Sequence, residues 1–313
     1  MKIIGTILRS KFFQGQPPVL IDIGASGQIN SKWKAIAPYS ICLAFDADDR
    51  DFKIKESENS AYKKLISFNR IVTADEVNQG PFYLTASPYC SSLLKPETEK
   101  LKPWVFNNLF DVEKVTDLPA ITLYHALQQA GIQYIDWYKS DTQGIDLRIF
   151  KTLPQEITSK ILAVEFEPGI IDAYENEDML YQVMQEMHSS EFWLSSMEVK
   201  GTKRLNADYV RSMSSFVKKR IVRNSPCWAE LTYLRQTSVK TERQLLLLFV
   251  FALLEKQFGF ALEVADYAVN CYTEPLFLEC RKAVLKKLEG EKIKTPLVLF
   301  KKQLNKLFAN IHD

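Results

Sequence analysis

The sequence is poor in the residues that build metal sites and disulfide frameworks. Its 313 residues include three histidines and five cysteines. The cysteines form no C-x-x-C pair and have no histidine at zinc-ligand spacing, so we expect no metal site. The first residues also lack the longer apolar segment and cleavage site of a secretory signal. Both absences lead us to expect a cytoplasmic protein with reduced cysteines.

Neither a strong charge excess nor a long hydrophobic run is present. Lys and Arg number 40 against 38 Asp and Glu, a net charge of +2. Nucleic-acid-binding proteins usually have a clear basic excess, so we expect no nucleic-acid partner. The most apolar stretch, Leu245 to Leu254, is about half as long as the roughly 20 residues that span a bilayer. We predict a buried helix there, rather than a membrane-associated hairpin, and no integral membrane segment.

Two short apolar runs that each lead to an acidic residue are the most informative feature. Residues 19–23 run into a glycine turn, and residues 41–45 are followed by Asp46. In a parallel nucleoside-binding sheet, glycines let a ligand approach the backbone, and an acid at the second strand end accepts ribose hydroxyls. We therefore predict a cofactor site formed by Asp22, Gly24, Ala25, Ser26, Gly27 and Asp46.

The spacing of the glycines favours one class of cofactor. A dinucleotide site usually has G-x-G-x-x-G, because the pyrophosphate lies against a helix N-terminus. Here Gln28 and Ile29 follow the second glycine, Gly27. An acid before a shorter glycine pair suits a nucleoside with an amino-acid tail, so we predict S-adenosylmethionine as the cofactor. A nicotinamide-dependent dehydrogenase is the less favoured alternative, because the third glycine is missing.

Strands and helices alternate from residue 19 onward. The predicted strands are 19–23, 41–46, 66–73, 81–86, 112–116, 134–139, 160–166, 192–199 and 205–211. The predicted helices are 29–37, 122–130, 144–151 and 178–189. This order predicts an α/β fold with a doubly wound, mostly parallel, Rossmann-like sheet. Residues 81–103, rich in Ser, Pro and Tyr, are predicted to form an insertion over the pocket.

The pattern changes after residue 212, so we assign residues 1–212 to the catalytic domain. Residues 213–240 are predicted to be a linker whose basic run, 217–223, is a solvated face or, alternatively, a contact for an anionic substrate. Residues 241–313 are predicted to be an all-helical extension. Its predicted helices are 241–258, 260–272, 275–288 and 295–310. We expect the extension to serve packing, docking of a protein partner or homodimerisation.

Three further segments suggest a family. Residues 89–96 contain Cys-Ser-Ser-Leu, residues 135–147 contain K-x-D-T-Q-G, and residues 162–168 contain Val-Glu-Phe-Glu. Together with D-I-G-A-S-G, and in this order, they resemble the FkbM-like family of S-adenosylmethionine-dependent methyltransferases over about residues 15–212. The resemblance implies a class I methyltransferase fold. It also implies O-methylation of a small-molecule or glycan acceptor, such as a sugar or a secondary metabolite.

The carboxyl ends of the central strands are where catalytic residues are expected. Methyl transfer requires the donor and acceptor to be aligned, and a base that removes the acceptor's proton. We predict Asp141, Glu165 and Glu167 as catalytic residues. Acceptor contacts are predicted for Ser91, Ser92, Lys139 and Gln143.

Each of these carboxylates has an alternative interpretation. Asp141 is also suited to capping the helix predicted near Gly144. Glu165 and Glu167 suit a structural pair with Lys or Arg, or, together with Asp141, a divalent ion that no other ligand spacing supports. His125 is a weaker candidate base.

A different class of function stays open as an alternative. The sheet would then be a catalytically silent scaffold whose helical tail, 241–313, recruits a glycan-assembly partner. Deleting the tail separates the two hypotheses, because an interaction module would be lost without loss of methyl transfer.

Overall fold

The computed structural model describes residues 2–25, 30–47, 61–220, 222–237 and 241–290, without the side chains of 218–220. The strands are β1 (Val19–Ile23), β2 (Ile41–Phe45), β3 (Lys64–Phe68), β4 (Ile71–Thr73), β5 (Gln79–Thr85), β6 (Val112–Thr122), β7 (Trp137–Ser140), β8 (Ala163–Phe166), β9 (Phe192–Thr202) and β10 (Ser225–Arg235). The predicted cofactor residues Ser26 and Gly27 and the predicted helix at 295–310 lie outside this range.

The α-helices are short before the C-terminal region. They are α1 (Lys2–Leu8), α2 (Lys11–Gln14), α3 (Thr98–Leu101), α4 (Leu123–Ala130), α5 (Asp146–Lys151), α6 (Gln155–Thr158), α7 (Leu180–His188), α8 (Ala207–Ser212), α9 (Ser215–Arg220), α10 (Glu242–Leu254) and α11 (Phe258–Cys271). Residues 275–290 are also helical. Over the described part of the chain, no helix combines the length and apolar character that crossing a bilayer requires.

Seven strands form the central sheet in the order β3-β2-β1-β7-β8-β10-β9. The first five in this order are mutually parallel, and β10 runs antiparallel to both of its neighbours. A parallel sheet with one reversed strand inserted before the last is the arrangement of the class I methyltransferase fold. The predicted doubly wound, mostly parallel sheet is therefore confirmed.

The central strand is covered on both faces, as its continuous apolar sequence predicts. All five residues of β1 are buried. Alternate side chains, Val19, Ile21 and Ile23, pack in a cluster with residues of α4, α5 and α7. Leu20 points to the other face and joins a second cluster with α1, α2, α10 and α11.

The helix α10 covers a face that a crossover helix usually covers. Between β1 and β2, the predicted helix at 29–37 is replaced in the described residues by two 3-10 helices, Ser31–Ala35 and Ala37–Tyr39. Every residue from Leu245 to Leu253 is buried, as predicted, and Phe251 packs edge-on against Trp137 of β7 with ring centroids 4.6 Å apart. The first helix of the extension is therefore part of the core.

The last strand is not where the sequence pattern predicts it. Residues 207–212 form α8 instead of the predicted strand at 205–211, and the Asn206 side chain accepts a hydrogen bond from the Asp208 amide as an N-cap. The predicted linker at 213–240 contains β10, so the sheet continues beyond residue 212. Pro226, which suggests a break, lies at the start of β10, where pairing with β9 is irregular.

The predicted insertion over the pocket is present and larger than 81–103. The strands β4, β6 and β5 form a separate three-stranded sheet, with β4 arising from the second part of the predicted strand at 66–73. The segment between β5 and β6 adds α3 and two 3-10 helices, Pro88–Cys90 and Asn107–Phe110. This insertion lies against the carboxyl ends of the central strands.

Candidate functional site

A cavity of about 690 Å³ opens at the carboxyl ends of β1, β2, β7 and β8. Its volume lies in the range of small-molecule sites, roughly 300 to 1,000 Å³. The insertion supplies Phe82 and Phe110, and the β9–β10 side supplies Gly201 and Trp228. The location is the one at which open parallel sheets bind ligands.

The turn after β1 requires glycine at one position. Gly24 has φ +78°, and a Cβ there would lie 2.1 Å from the Asp141 carbonyl oxygen. The amides of Gly24 and Ala25 both donate to the Phe45 carbonyl, each at 2.9 Å. Gly24 lines the cavity, whereas Ala25 is buried and does not. The turn is thus packed between the ends of β2 and β7.

Asp46 is placed where a ribose contact is predicted. It follows β2 directly and lines the cavity together with Arg70, Ile71 and Val72. The Asp46 amide donates to the Phe68 carbonyl of β3 at 3.3 Å. An acidic residue therefore lies at this end of the cavity together with the apolar Ile71 and Val72 and the basic Arg70.

Asp22 and Lys139 contact each other rather than the cavity. They are register partners on β1 and β7, and Lys139 Nζ donates to Asp22 Oδ1 at 2.7 Å. Burial opposes the charge of Lys139, but Asp22 and Asp141 outweigh burial and raise its pKa. The structure places neither residue among those lining the cavity.

Asp141 and Glu167 both line the cavity. The Asp141 carboxylate accepts a hydrogen bond from Gln143 Nε2 at 2.6 Å. The Glu167 carboxyl has no hydrogen bond or ion pair with any described residue. Burial raises the pKa of Asp141 to about 6, and burial together with the charge of Asp141 raises the pKa of Glu167 to about 9.

Glu165 is held in a structural ion pair. Its carboxylate accepts hydrogen bonds from Lys32 Nζ at 3.0 Å and from Trp137 Nε1 at 2.8 Å. The same ammonium lies 3.1 Å from Glu255, just beyond α10. Glu165 does not line the cavity. The sequence predicts that Glu165 and Glu167 are both catalytic, but β8 ends between them and the two carboxyl groups lie in different surroundings.

Asp146, which is not among the predicted site residues, organises the loop after β7. Its carboxylate accepts hydrogen bonds from Ser140 Oγ, Thr142 N and Thr142 Oγ1 at 2.6 to 2.8 Å. The helix α5 begins at Asp146 with Ile145 as its N-cap, so the alternative of Asp141 as a cap is wrong. The sequence signal for Asp146 is its position as an acidic residue in the first turn of the predicted helix at 144–151.

The two serines have separate positions. Ser91 lines the cavity and accepts the Thr85 amide at 3.1 Å. Ser92 is fully buried and donates to the Gln143 carbonyl at 2.8 Å, so it holds the loop without lining the cavity. Gln143 itself lines the cavity, and the Tyr174 hydroxyl lies 3.2 Å from its Oε1.

Several lining residues lie in segments for which the sequence carries no motif. The Glu177 carboxylate accepts the Ala173 amide at 2.7 Å, and burial raises its pKa to about 7. A Cβ at Gly169 would lie 2.8 Å from this carboxylate.

Among the residues described, no three His, Cys, Asp or Glu side chains group as metal ligands would. His125 is exposed on α4 and does not line the cavity.

Comparisons with known proteins add little. No protein-family model matches the chain, and no curated protein matches it. One similar solved structure is the precorrin-6y C5,15-methyltransferase from Geobacter metallireducens GS-15, with 8% sequence identity and a TM-score of 0.33 over 75% of this chain and 87% of that chain. A TM-score this low does not establish a common fold, so the fold assignment depends on the strand order and directions above.

Proposed function

We propose that the protein is an S-adenosylmethionine-dependent methyltransferase that methylates a hydroxyl of a sugar, glycan or secondary metabolite. The observation that carries this proposal is the cavity at the carboxyl ends of the parallel strands, where Gly24, Asp46, Asp141 and Glu167 meet. The resemblance to FkbM-like methyltransferases supports the choice of a hydroxyl acceptor. Membership of that family stays a prediction.

The residues around the cavity fit an adenosyl sulfonium. The Asp46 carboxylate would accept the ribose hydroxyls, with the apolar side chains of Ile71 and Val72 beside it for the adenine. The Glu167 carboxyl, which has no partner among the described residues, suits a positively charged group. When bound, this cofactor supplies an activated methyl group.

The chain's own contribution is to position the acceptor and to receive a proton. Methyl transfer forms a carbon–oxygen bond and breaks a carbon–sulfur bond, whose electron pair stays on sulfur. The acceptor's hydroxyl proton must then go to a base within hydrogen-bond reach. We assign this role to the Glu167 carboxylate. Asp141, oriented by Gln143, would hold the reacting groups in line.

The aromatic side of the cavity supports an organic acceptor. Phe106, Phe110 and Trp228 line it together with the buried Tyr174. Such side chains exclude water and present flat apolar faces to a ring.

Calorimetric titration with S-adenosylmethionine and with its demethylated product tests the proposal. We expect both to bind, and we expect Asp46→Ala to weaken binding at least about tenfold through loss of the ribose contact. The matched control is Asp117→Ala, which removes an exposed carboxylate of the insertion that does not line the cavity. Absence of binding by both compounds to the wild-type protein would overturn the proposal.

A further inference from the structure

Asp141 and Glu167 form a pair of carboxyl groups, here called the carboxyl pair. They follow directly after Ser140 and Phe166, which are register partners at the ends of β7 and β8. Neighbouring strands lie about 4.8 Å apart, and both residues line the same cavity. The two carboxyl groups are therefore neighbours that face one space.

The charged groups that face the carboxyl pair do not neutralise it. Lys139 lowers the pKa of both members, but it is also bound to Asp22 at 2.7 Å, and burial and the neighbouring carboxylates outweigh it. Glu230 on β10 is bound to Lys200 at 3.3 Å and adds a further negative charge to the cavity wall. Asp146 on α5 also raises the pKa of both members of the pair.

Of the described residues that line the cavity, Arg70 is the one with a positive charge. It lies at the β3–β4 side, separated from β7 by two strands. Lys139 favours ionisation of both carboxyl groups, but burial and the repulsion among the carboxylates outweigh it, so the pair holds a proton. A cation that enters the cavity would stabilise both ionised carboxylates, so the shared proton would be released.

We propose that the carboxyl pair is the binding site of the donor's sulfonium cation, and that it gives up its shared proton when that cation binds. This inference rests on the proposed function, since it takes S-adenosylmethionine as the cation. Donor binding leaves both carboxylates ionised, so Glu167 is ready to receive the acceptor's proton. Methyl transfer then converts the sulfonium to a neutral thioether while Glu167 takes up the hydroxyl proton. The pair returns to its singly protonated form, and its attraction for the spent cofactor is lost.

Calorimetry in two buffers of different ionisation enthalpy measures the proton released on binding. At pH 7.5, we expect about one proton per S-adenosylmethionine bound, and at most about a third of that for S-adenosylhomocysteine, which lacks the sulfonium charge. No release with S-adenosylmethionine, or equal release with both compounds, would overturn the proposal.

Two variants test whether proton release depends on the carboxyl pair or on the total negative charge of the cavity. Glu167→Gln should abolish proton release, and the amide should leave the fold intact, because the native side chain is already mostly protonated at neutral pH. Glu230→Gln removes a carboxylate from the same cavity that also raises the pKa of Glu167, but burial and Asp141 raise that pKa more, so most of the release should remain. An equal loss of release in both variants would contradict a specific pair. Cooperative thermal unfolding confirms that each variant is folded.

A simpler cation keeps this inference separate from the proposed function. If neither cofactor binds, the proposed function fails, and trimethylsulfonium chloride then probes the carboxyl pair alone. Millimolar binding with proton release by the wild-type protein, lost in Glu167→Gln, supports the cation site. Failure of trimethylsulfonium to release a proton overturns it.

Discussion

Arg243 of α10 binds Asp136 with both arms of its guanidinium, Nη1 to Oδ1 and Nη2 to Oδ2, each at 2.8 Å. Asp136 precedes β7, is 1% exposed, and also accepts the Val19 amide of β1 at 2.9 Å. One buried carboxylate thus joins the C-terminal helical layer to two central strands. Removing its cationic partner would leave an uncompensated buried charge.

Arg243→Ala should therefore destabilise the protein strongly. We expect the free energy of unfolding, measured by urea denaturation, to fall by about 3 kcal/mol. Arg281→Ala is the control, because it breaks a half-exposed ion pair with Asp266 and should cost less than about 1 kcal/mol. Similar losses of unfolding free energy in the two variants would show that the buried Arg243–Asp136 contact contributes no more to stability than the exposed pair.

Deletion of residues 241–313 should prevent folding instead of separating an interaction module from an enzyme. The deletion removes α10, whose buried residues cover Leu20 and Trp137 of the central sheet. We expect the truncated chain to lack the cooperative unfolding transition of the full-length chain in circular dichroism. A truncated protein that unfolds cooperatively and binds cofactor would restore the docking interpretation of the tail.

Gly24→Ala should disturb both the turn after β1 and the proposed cofactor site. The new methyl group would collide with the Asp141 carbonyl, in a left-handed backbone conformation that disfavours alanine. We expect a loss of roughly 1 to 3 kcal/mol in unfolding free energy and cofactor binding weakened more than about tenfold. Gly15→Ala is the matched control, because its Cβ would meet open space. Unchanged cofactor affinity in Gly24→Ala would contradict the placement of the site.

Glu177 should make stability depend on pH. Its pKa is raised to about 7 in the folded protein, so between about pH 4.5 and 7 the folded state holds a proton that the unfolded state has lost. Stability from this group is therefore present at low pH and lost as the pH rises through 7. Between pH 5 and 8, we expect wild type to lose roughly 2 kcal/mol more than Glu177→Gln. Glu175→Gln, which alters an exposed partner of Lys95, should follow wild type.

If the two curves for wild type and Glu177→Gln run parallel between pH 5 and 8, Glu177 is not protonated in the folded state. Because the comparison uses the difference in slope, a constant cost from the altered hydrogen bond to Ala173 does not affect it.

The sequence predicts the first half of the central sheet well, because β1 and β2 are uninterrupted apolar runs that end at a glycine turn and an acid. It does not predict β10. Asn224 and Pro226 indicate a loop at the position where β10 begins. The alternation of side chains in β10 is recognised only when β8 and β9 are known to lie on either side of it. Local pattern cannot supply that pairing.

The site divides in the same way. Asp46, Asp141 and Glu167 line the cavity as their positions at strand ends suggest. Asp22, Lys139 and Glu165 also lie near the carboxyl ends of strands, but they form ion pairs and do not line the cavity. Asp22 pairs with Lys139, and Glu165 pairs with Lys32. Which carboxylates line the cavity depends on partners far away in sequence, such as Lys32 for Glu165, and spacing alone does not reveal them.

The position of α10 has a consequence for biosynthesis. One side of β1 has only part of its cover, from α1 and α2, until α10 has left the ribosome, because α10 lies far C-terminal to β1 in the sequence. Contacts so distant in sequence delay folding and prolong exposure of apolar surface. The nascent N-terminal half should therefore be a chaperone client, and it should gain protease resistance abruptly once residue 254 emerges.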